Sequence, residues 1–205
     1  MNQQSELFSH GPLNNLKTRD RIIETAYRLF SHEGLSRIGI DRIIKDADVA
    51  KASLYNHFGS KEELIKACLK RRWEHWFEGW MIAGVEEVDG TPEQKLLAVF
   101  DLFEEWFTKI DPKDRCLFMQ VQIETNPGET LYDEVGIYMS GMREAFQIYF
   151  EQAHFAEPAT IAHSWGTLIK GCLLNNRDGE NFTRQARIAA QVLLASWPRL
   201  TDEMH

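Results

Sequence analysis

From position 18 onward apolar side chains recur every three or four residues, the period of an amphipathic helix, and no run alternates with the period of two that a half-buried strand requires. Ile22, Ile23, Ala26, Leu29 and Phe30 predict a first helix, capped by Thr18, ending near Glu33 and stopped by Gly34. A shorter set, Ile40, Ile43, Ile44 and Ala47, predicts a second. Asp48 then suits the left-handed residue of a tight turn, and Val49 can plug the space between helices. A third helix covers about Ala50 to His57 with Leu54 facing inward. Gly59 breaks it, and Ser60-Lys61-Glu62-Glu63 reads as a reciprocal capping box that starts a fourth helix at Lys61.

The same period continues through Leu64, Ala67, Cys68, Trp73, Trp76, Phe77 and Trp80, so one rod is expected to run from the N-terminal helices into the body. Beyond Asp89-Gly90 a fifth helix begins near Pro92 and reaches about Lys109 before Asp111-Pro112. A sixth lies between about Lys113 and Thr125, closed by Asn126-Pro127-Gly128. Leu131 to about Gln152, Pro158 to about Leu174 and Phe182 to Trp197 complete an all-α chain of about nine helices. Residues 1–17, polar and carrying Gly11-Pro12, are expected to form a flexible arm.

Composition narrows the class. With 205 residues and 43% hydrophobic content the chain can bury a real core, which excludes a disordered protein. No stretch approaches the roughly 20 unbroken apolar residues of a membrane span, and the start lacks the order of a signal peptide, so a cytoplasmic protein without membrane contact is expected. Cys68, Cys116 and Cys172 sit among apolar neighbours and read as reduced core thiols. The net charge of -8 argues against a polyanion partner until its distribution is read. Residues 1–72 carry 13 Lys and Arg against 9 Asp and Glu, a net +4, whereas residues 73–205 carry 10 against 22, a net -12. A basic head on an acidic body would orient the molecule on a nucleic acid.

Two short helices joined by a tight turn have the dimensions of a helix-turn-helix, whose second helix fits a major groove. The segments TRDRIIETAYRLFSHEGL and IDRIIKDADVAKASLYNHFGSKEELI, with their spacing, resemble the DNA-binding domain of the TetR family over about residues 18–66. Leu54-Tyr55-Asn56-His57-Phe58 followed by Ser60-Lys61-Glu62 is the most specific part; the body matches only in helical pattern and length. The resemblance implies a three-helix DNA-binding head over 18–66, a larger ligand-binding and dimerisation domain over 67–205, and a homodimer that reads successive major grooves of a palindromic operator in double-stranded DNA. It further implies that Lys51, Ala52, Ser53 and Asn56 face bases while Tyr55, His57 and Lys61 hold phosphates. Arg37 and Arg42 add positive charge beside them. The chain departs from the family pattern at Asp41, where a basic or polar residue is usual; a carboxylate there can accept only from a base amine. Gly39 and Ala50 replace the usual capping side chains, at about 1 kcal/mol per lost cap.

In the body the aromatic density stands out. Most such stripes are simply core, but Trp73, Trp76, Phe77, Trp80, Phe103, Phe107, Phe118 and Met142 are also suited to line an apolar cavity, with Gln120, Gln122, Tyr138 or His163 orienting a small-molecule effector. In the last two helices Ala162, Gly166 and Gly171 permit close approach while Trp165, Ile169, Leu173, Ile188 and Val192 offer more apolar surface than one layer buries, so a four-helix dimer seam is expected. No nucleophile-base pair, metal-ligand spacing or cofactor motif is found, so neither catalysis nor a cofactor or metal is expected. The rival readings are an all-helical carrier or enzyme using the aromatic cavity, and a regulator that activates or works without a ligand.

Overall fold

The structure is a computed structural model that describes residues 15–109, 114–175 and 182–200. The helices are α1 (Thr18–Glu33), α2 (Ile40–Ala47), α3 (Lys51–His57), α4 (Lys61–Arg72), α5 (Ala83–Glu86), α6 (Pro92–Lys109), α7 (Leu117–Glu124), α8 (Thr130–Gln152), α9 (Pro158–Asn175) and α10 (Phe182–Ser196), with a π-helix over Trp73–Ile82 joining α4 to α5. Counting α4, the π-helix and α5 as one continuous run, nine helical runs make up the regular structure of the described residues. The isolated antiparallel bridge between Phe155 and Arg199 is the extended pairing found there. No helix among the described residues is long and apolar enough to cross a membrane. The proposed arm over 1–17 and the Asp111-Pro112 stop fall largely outside the described residues.

Two compact units divide the chain. The first comprises Met1–Trp80 with Ile110–Gly136, the second Met81–Lys109 with Ile137–His205. In the first, α1 packs against α2, α3, α4 and α7. Its inward stripe of Ile22, Ala26 and Phe30 is fully buried, and α2, α3 and α4 answer with Ile43, Leu54 and Leu64, also fully buried. At 8 and 7 residues, α2 and α3 are too short to persist alone, so this packing is what holds them. Leu54 is the buried residue of α3, and truncating it to Ala would cost about 2–5 kcal/mol and free the helix.

Local chemistry sets the ends. Gly34 has φ +94° and its amide donates to the Phe30 carbonyl at 3.0 Å, closing α1 as its lack of a Cβ allows. The start of α1 differs from expectation: Thr18 lies inside the helix and Lys17 occupies the cap without a side-chain bond. Asp48 adopts φ 50°, ψ 60°, the left-handed turn its position predicts. Ser60 Oγ accepts from the Glu63 amide at 3.1 Å, whereas the Glu63 carboxylate is turned toward Lys66 at 2.9 Å. Thr91 and Gln94 form a reciprocal capping box ahead of α6: the Gln94 side chain accepts from the Thr91 amide at 2.8 Å and Thr91 Oγ1 from the Gln94 amide at 3.4 Å.

In the second unit α6 packs on α5 and α10, and α9 on α10. Trp165 stands edge-on to Phe100 and Phe150 at centroid distances of 5.3 and 5.5 Å, the arrangement that aromatic quadrupoles favour. A Cβ on Gly84 would lie 3.1 Å from the Leu102 side chain, so glycine permits the close approach of α5 to α6. Arg187 on α10 donates to Asp101 on α6 at 2.8 Å. Lys95 donates to Glu86 at 2.7 Å and Tyr149 donates to its other oxygen, and these two bonds, the lysine's first, hold the Glu86 carboxyl below its ordinary range.

Candidate nucleic-acid interface and the other predicted surfaces

Because Leu54 anchors α3 through one side chain, the rest of that helix is left outward. Lys51, Ala52, Tyr55, Asn56 and His57 are exposed, Tyr55 at 46%, and Ser53 is half-buried. A tyrosine this open on a well-packed head contributes little to the core, which leaves its ring and hydroxyl available. The left-handed Asp48 and the extended Ala50 set α3 at an angle to α2, so the first turns of both helices reach the same surface. There Lys51 Nζ lies 3.2 Å from Asp41 Oδ1.

The remaining cations are engaged to different degrees. Arg37 is exposed. Arg42 donates to Asp46 at 2.7 Å and lies 3.6 Å from Glu33; the hydrogen bond to Asp46 raises the guanidinium pKa. Lys61 is turned inward: Nζ donates to the Leu35 carbonyl at 2.5 Å and sits 5.8 Å from the Phe30 ring centroid. Partial burial lowers its pKa against the opposing pull of Glu124. Lys61 therefore ties the α1–α2 turn to the start of α4. A phosphate would have to compete with that carbonyl.

The same turn is held from another side by residues that sequence reasoning did not single out for it. The Glu124 carboxylate accepts from the Leu35 amide at 2.9 Å and the Ser36 amide at 2.7 Å, and Gln120 Nε2 donates to it at 2.6 Å. Gln120 thus orients Glu124 with one of its two Nε2 donors. Burial alone would raise the Glu124 pKa, but the amide and Gln120 donors outweigh it and hold the carboxyl below its ordinary range.

The residues expected around an effector are shared between the units. Trp73, Trp76, Phe77, Trp80, Phe118 and Gln122 belong to the first; Phe103, Phe107, Tyr138, Met142 and His163 to the second. In the first, Trp73 stacks on Phe77 at 4.1 Å and Trp76 tilts against Trp80 at 5.9 Å. Trp76, Phe77, Trp80 and Phe118 are buried, Trp73 and Gln122 half-buried. In the second, Phe107 stacks on Phe103 at 5.9 Å and Met142 is buried, while Tyr138 is half-buried. His163 is exposed, with Nδ1 3.0 Å from the Ala159 carbonyl oxygen.

Of the residues expected at a dimer seam, Ala162, Trp165, Gly166 and Ile169 are buried within the unit's own core and Leu173 is half-buried. Ile188 and Val192, at 48% and 62%, are exposed on α10, and Leu174, at 41%, is exposed on α9. Spacing marked Trp165, Ile169, Leu173, Ile188 and Val192 alike as apolar faces and did not single out Leu174; only the tertiary packing distinguishes the inner stripe from the outer one. Among the described residues no group of three or more His, Cys, Asp or Glu side chains is placed to hold a metal ion.

Comparison with known proteins gives consistent matches. Residues 22–68 match the model of "Bacterial regulatory proteins, tetR family". The icaADBC biofilm-operon negative transcriptional regulator IcaR of Staphylococcus epidermidis is 24% identical over 147 residues, 70% of this chain and 72% of that protein. Further matches, to Staphylococcus aureus regulators, span under a third of those relatives. A TetR-family transcriptional regulator from Streptomyces coelicolor superposes with a TM-score of 0.78 at 21% identity, covering 87% of this chain and 94% of that one. CifR, solved with a 26bp double-strand operator DNA, superposes at 0.72 with 14% identity over 87% of this chain and 96% of that one.

Proposed function

We propose, on the premise that this chain belongs to the TetR family of DNA-binding transcriptional regulators, that it acts in the cytoplasm as a homodimeric repressor released from a palindromic operator by a small apolar or aromatic effector. The observation that carries the reading is α3: a short helix fixed through Leu54 and presenting Lys51, Ala52, Tyr55 and Asn56 outward beside Asp41. In a major groove Lys51, Ala52, Ser53 and Asn56 would meet base edges. Tyr55 and His57 would position the helix on the backbone, with Arg37 and Arg42 adding charge. Lys61 would act chiefly by holding the head's turn through Leu35.

Two copies are needed to read an inverted repeat. The exposed stripe of Leu174, Ile188 and Val192 supports pairing through α9 and α10, and Gly171, whose absent Cβ would meet nothing within 4 Å, leaves room for a facing helix. The two aromatic clusters support an apolar effector, and the helical run from Lys61 to Glu86 links the head covalently to the second unit. An effector that prefers the DNA-incompetent form by about 1–3 kcal/mol would weaken operator binding about 5- to 150-fold. The negative regulation named for IcaR supports a repressing sense.

Selection of bound duplexes from a random pool tests the proposal directly. An inverted repeat should emerge, and members of a panel of apolar metabolites should release it. Retention of no inverted-repeat duplex at low ionic strength would overturn it; retention unaffected by any panel member would leave a regulator without the effector step.

A further inference from the structure

We propose that Asp41 and Lys51 act as one reading element for a C·G base pair in each operator half-site, with Asp41 setting the preference for cytosine; this rests on the reading in which α3 enters the major groove. The two side chains come from different helices, the first turn of α2 and the first residue of α3. Their charged atoms meet at 3.2 Å. They are also widely open, with side-chain exposures of 86% for Asp41 and 64% for Lys51. By contrast Arg42 on the same helix is drawn to Asp46 and Glu33.

A carboxylate on a surface that approaches phosphates is repelled unless it finds a donor. In the major groove the donors are the amines of cytosine and adenine, and the acceptors beside them differ. Cytosine N4 lies next to guanine O6, with guanine N7 beyond, so a C·G pair offers one donor and then two acceptors on the partner base. The pair in the protein is the complement. Asp41 keeps its second carboxylate oxygen for the cytosine amine, and the Lys51 ammonium keeps two N–H groups for O6 and N7. The contact between Asp41 and Lys51 fixes their order along the groove, which a lone lysine would not do.

A purely structural role for Asp41 is the competing account. A lysine at the first position of a helix opposes the positive end of the helix dipole, and a nearby carboxylate relieves that. Such a role predicts a small change in stability and no change in base preference.

The two accounts separate in a selection from random duplexes using the full-length chain, Asp41→Ala and Asp41→Asn, with thermal melts of all three. The wild-type half-site should contain one position where C is favoured over T by roughly tenfold, within the range of a specific base contact. Asp41→Ala should lose that preference while keeping the others. Asp41→Asn should shift it to A, because a carboxamide pairs with adenine N6 and N7. Unchanged preferences in both variants, with affinity uniformly raised by removal of a negative charge, would overturn the proposal, as would a wild-type preference for A·T at the position the variants alter. If the wild-type chain selects no duplex at all, the groove reading itself fails and this proposal falls with it.

Discussion

The carboxylate of Glu124, the last residue of α7, accepts hydrogen bonds from the amides of Leu35 and Ser36, 89 and 88 residues earlier in the chain. Those amides form the turn between α1 and α2, immediately after the positive-φ Gly34. The Leu35 carbonyl is taken by Lys61 from α4. A turn with no capping side chain of its own is therefore bracketed from two helices, and α2, whose N-cap is Gly39, starts from a fixed point.

The clamp has a measurable worth. Glu124→Ala removes the acceptor for two amides and leaves Gln120 without a partner for Nε2, which should lower stability by about 1–3 kcal/mol in chemical denaturation. Because the folded carboxyl titrates below its ordinary value, its contribution is fully present above the unfolded pKa of about 4.3 and is lost as pH falls through the lower folded value. Glu124→Gln should therefore cost stability at neutral pH and flatten the acid limb below about pH 4.3. Equal slopes for wild type and Glu124→Gln on that limb would contradict the assignment.

The exposed tyrosine separates binding from folding. Tyr55 is 46% exposed, so Tyr55→Ala should alter stability by no more than about 0.5 kcal/mol. Binding to the selected duplex should nevertheless weaken, roughly tenfold for the loss of one backbone-positioning contact and its packing. Lys51→Ala should also weaken binding while leaving the slope of log affinity against log salt near that of wild type, because the lysine reads a base; a slope reduced by about 1 would instead place it on a phosphate. Titration by fluorescence anisotropy at several salt concentrations distinguishes these outcomes.

The three thiols should be silent in the native state. Burial pushes the Cys172 thiol up to about 12 and raises those of Cys68 and Cys116, so little thiolate exists at neutral pH. All three are unpaired and buried. A thiol reagent should label them only upon denaturation. Rapid stoichiometric labelling of folded protein would show that at least one side chain opens to solvent.

Much of the head was legible because its signals are local. The left-handed Asp48, the stop at Gly34 and the Ser60 cap each depend on residues within one turn, and periodicity alone places Leu54 inward with Tyr55 and Asn56 outward. What was not legible depends on partners distant in sequence. Nothing near Lys61 announces the Leu35 carbonyl, and nothing in a helix reading LFMQVQIE says that its final carboxylate serves a turn across the fold. The change to π winding at Trp73 is a change of hydrogen-bond register, to which the spacing of apolar residues is nearly blind. Trp165 and Ile188 illustrate the same limit: both belong to apolar faces, yet one is fully buried within its own unit and the other is 48% exposed.

That exposed face yields the sharpest test of assembly. Val192 is 62% exposed on α10 one helical turn beyond Ile188, and neither is needed to fill the unit's core. Val192→Glu should therefore leave the helical circular-dichroism signal and the melting of the single chain nearly unchanged. In a pair of facing α9–α10 hairpins, however, it buries a carboxylate against apolar surface, which costs several kcal/mol for each copy unless a partner charge is found. Sedimentation should then show a shift from dimer to monomer, and binding to a full inverted repeat should fall toward that of a single half-site. A variant that remains dimeric would place the seam elsewhere, and Ala195→Glu on the same exposed side of α10 would show whether the face as a whole is free.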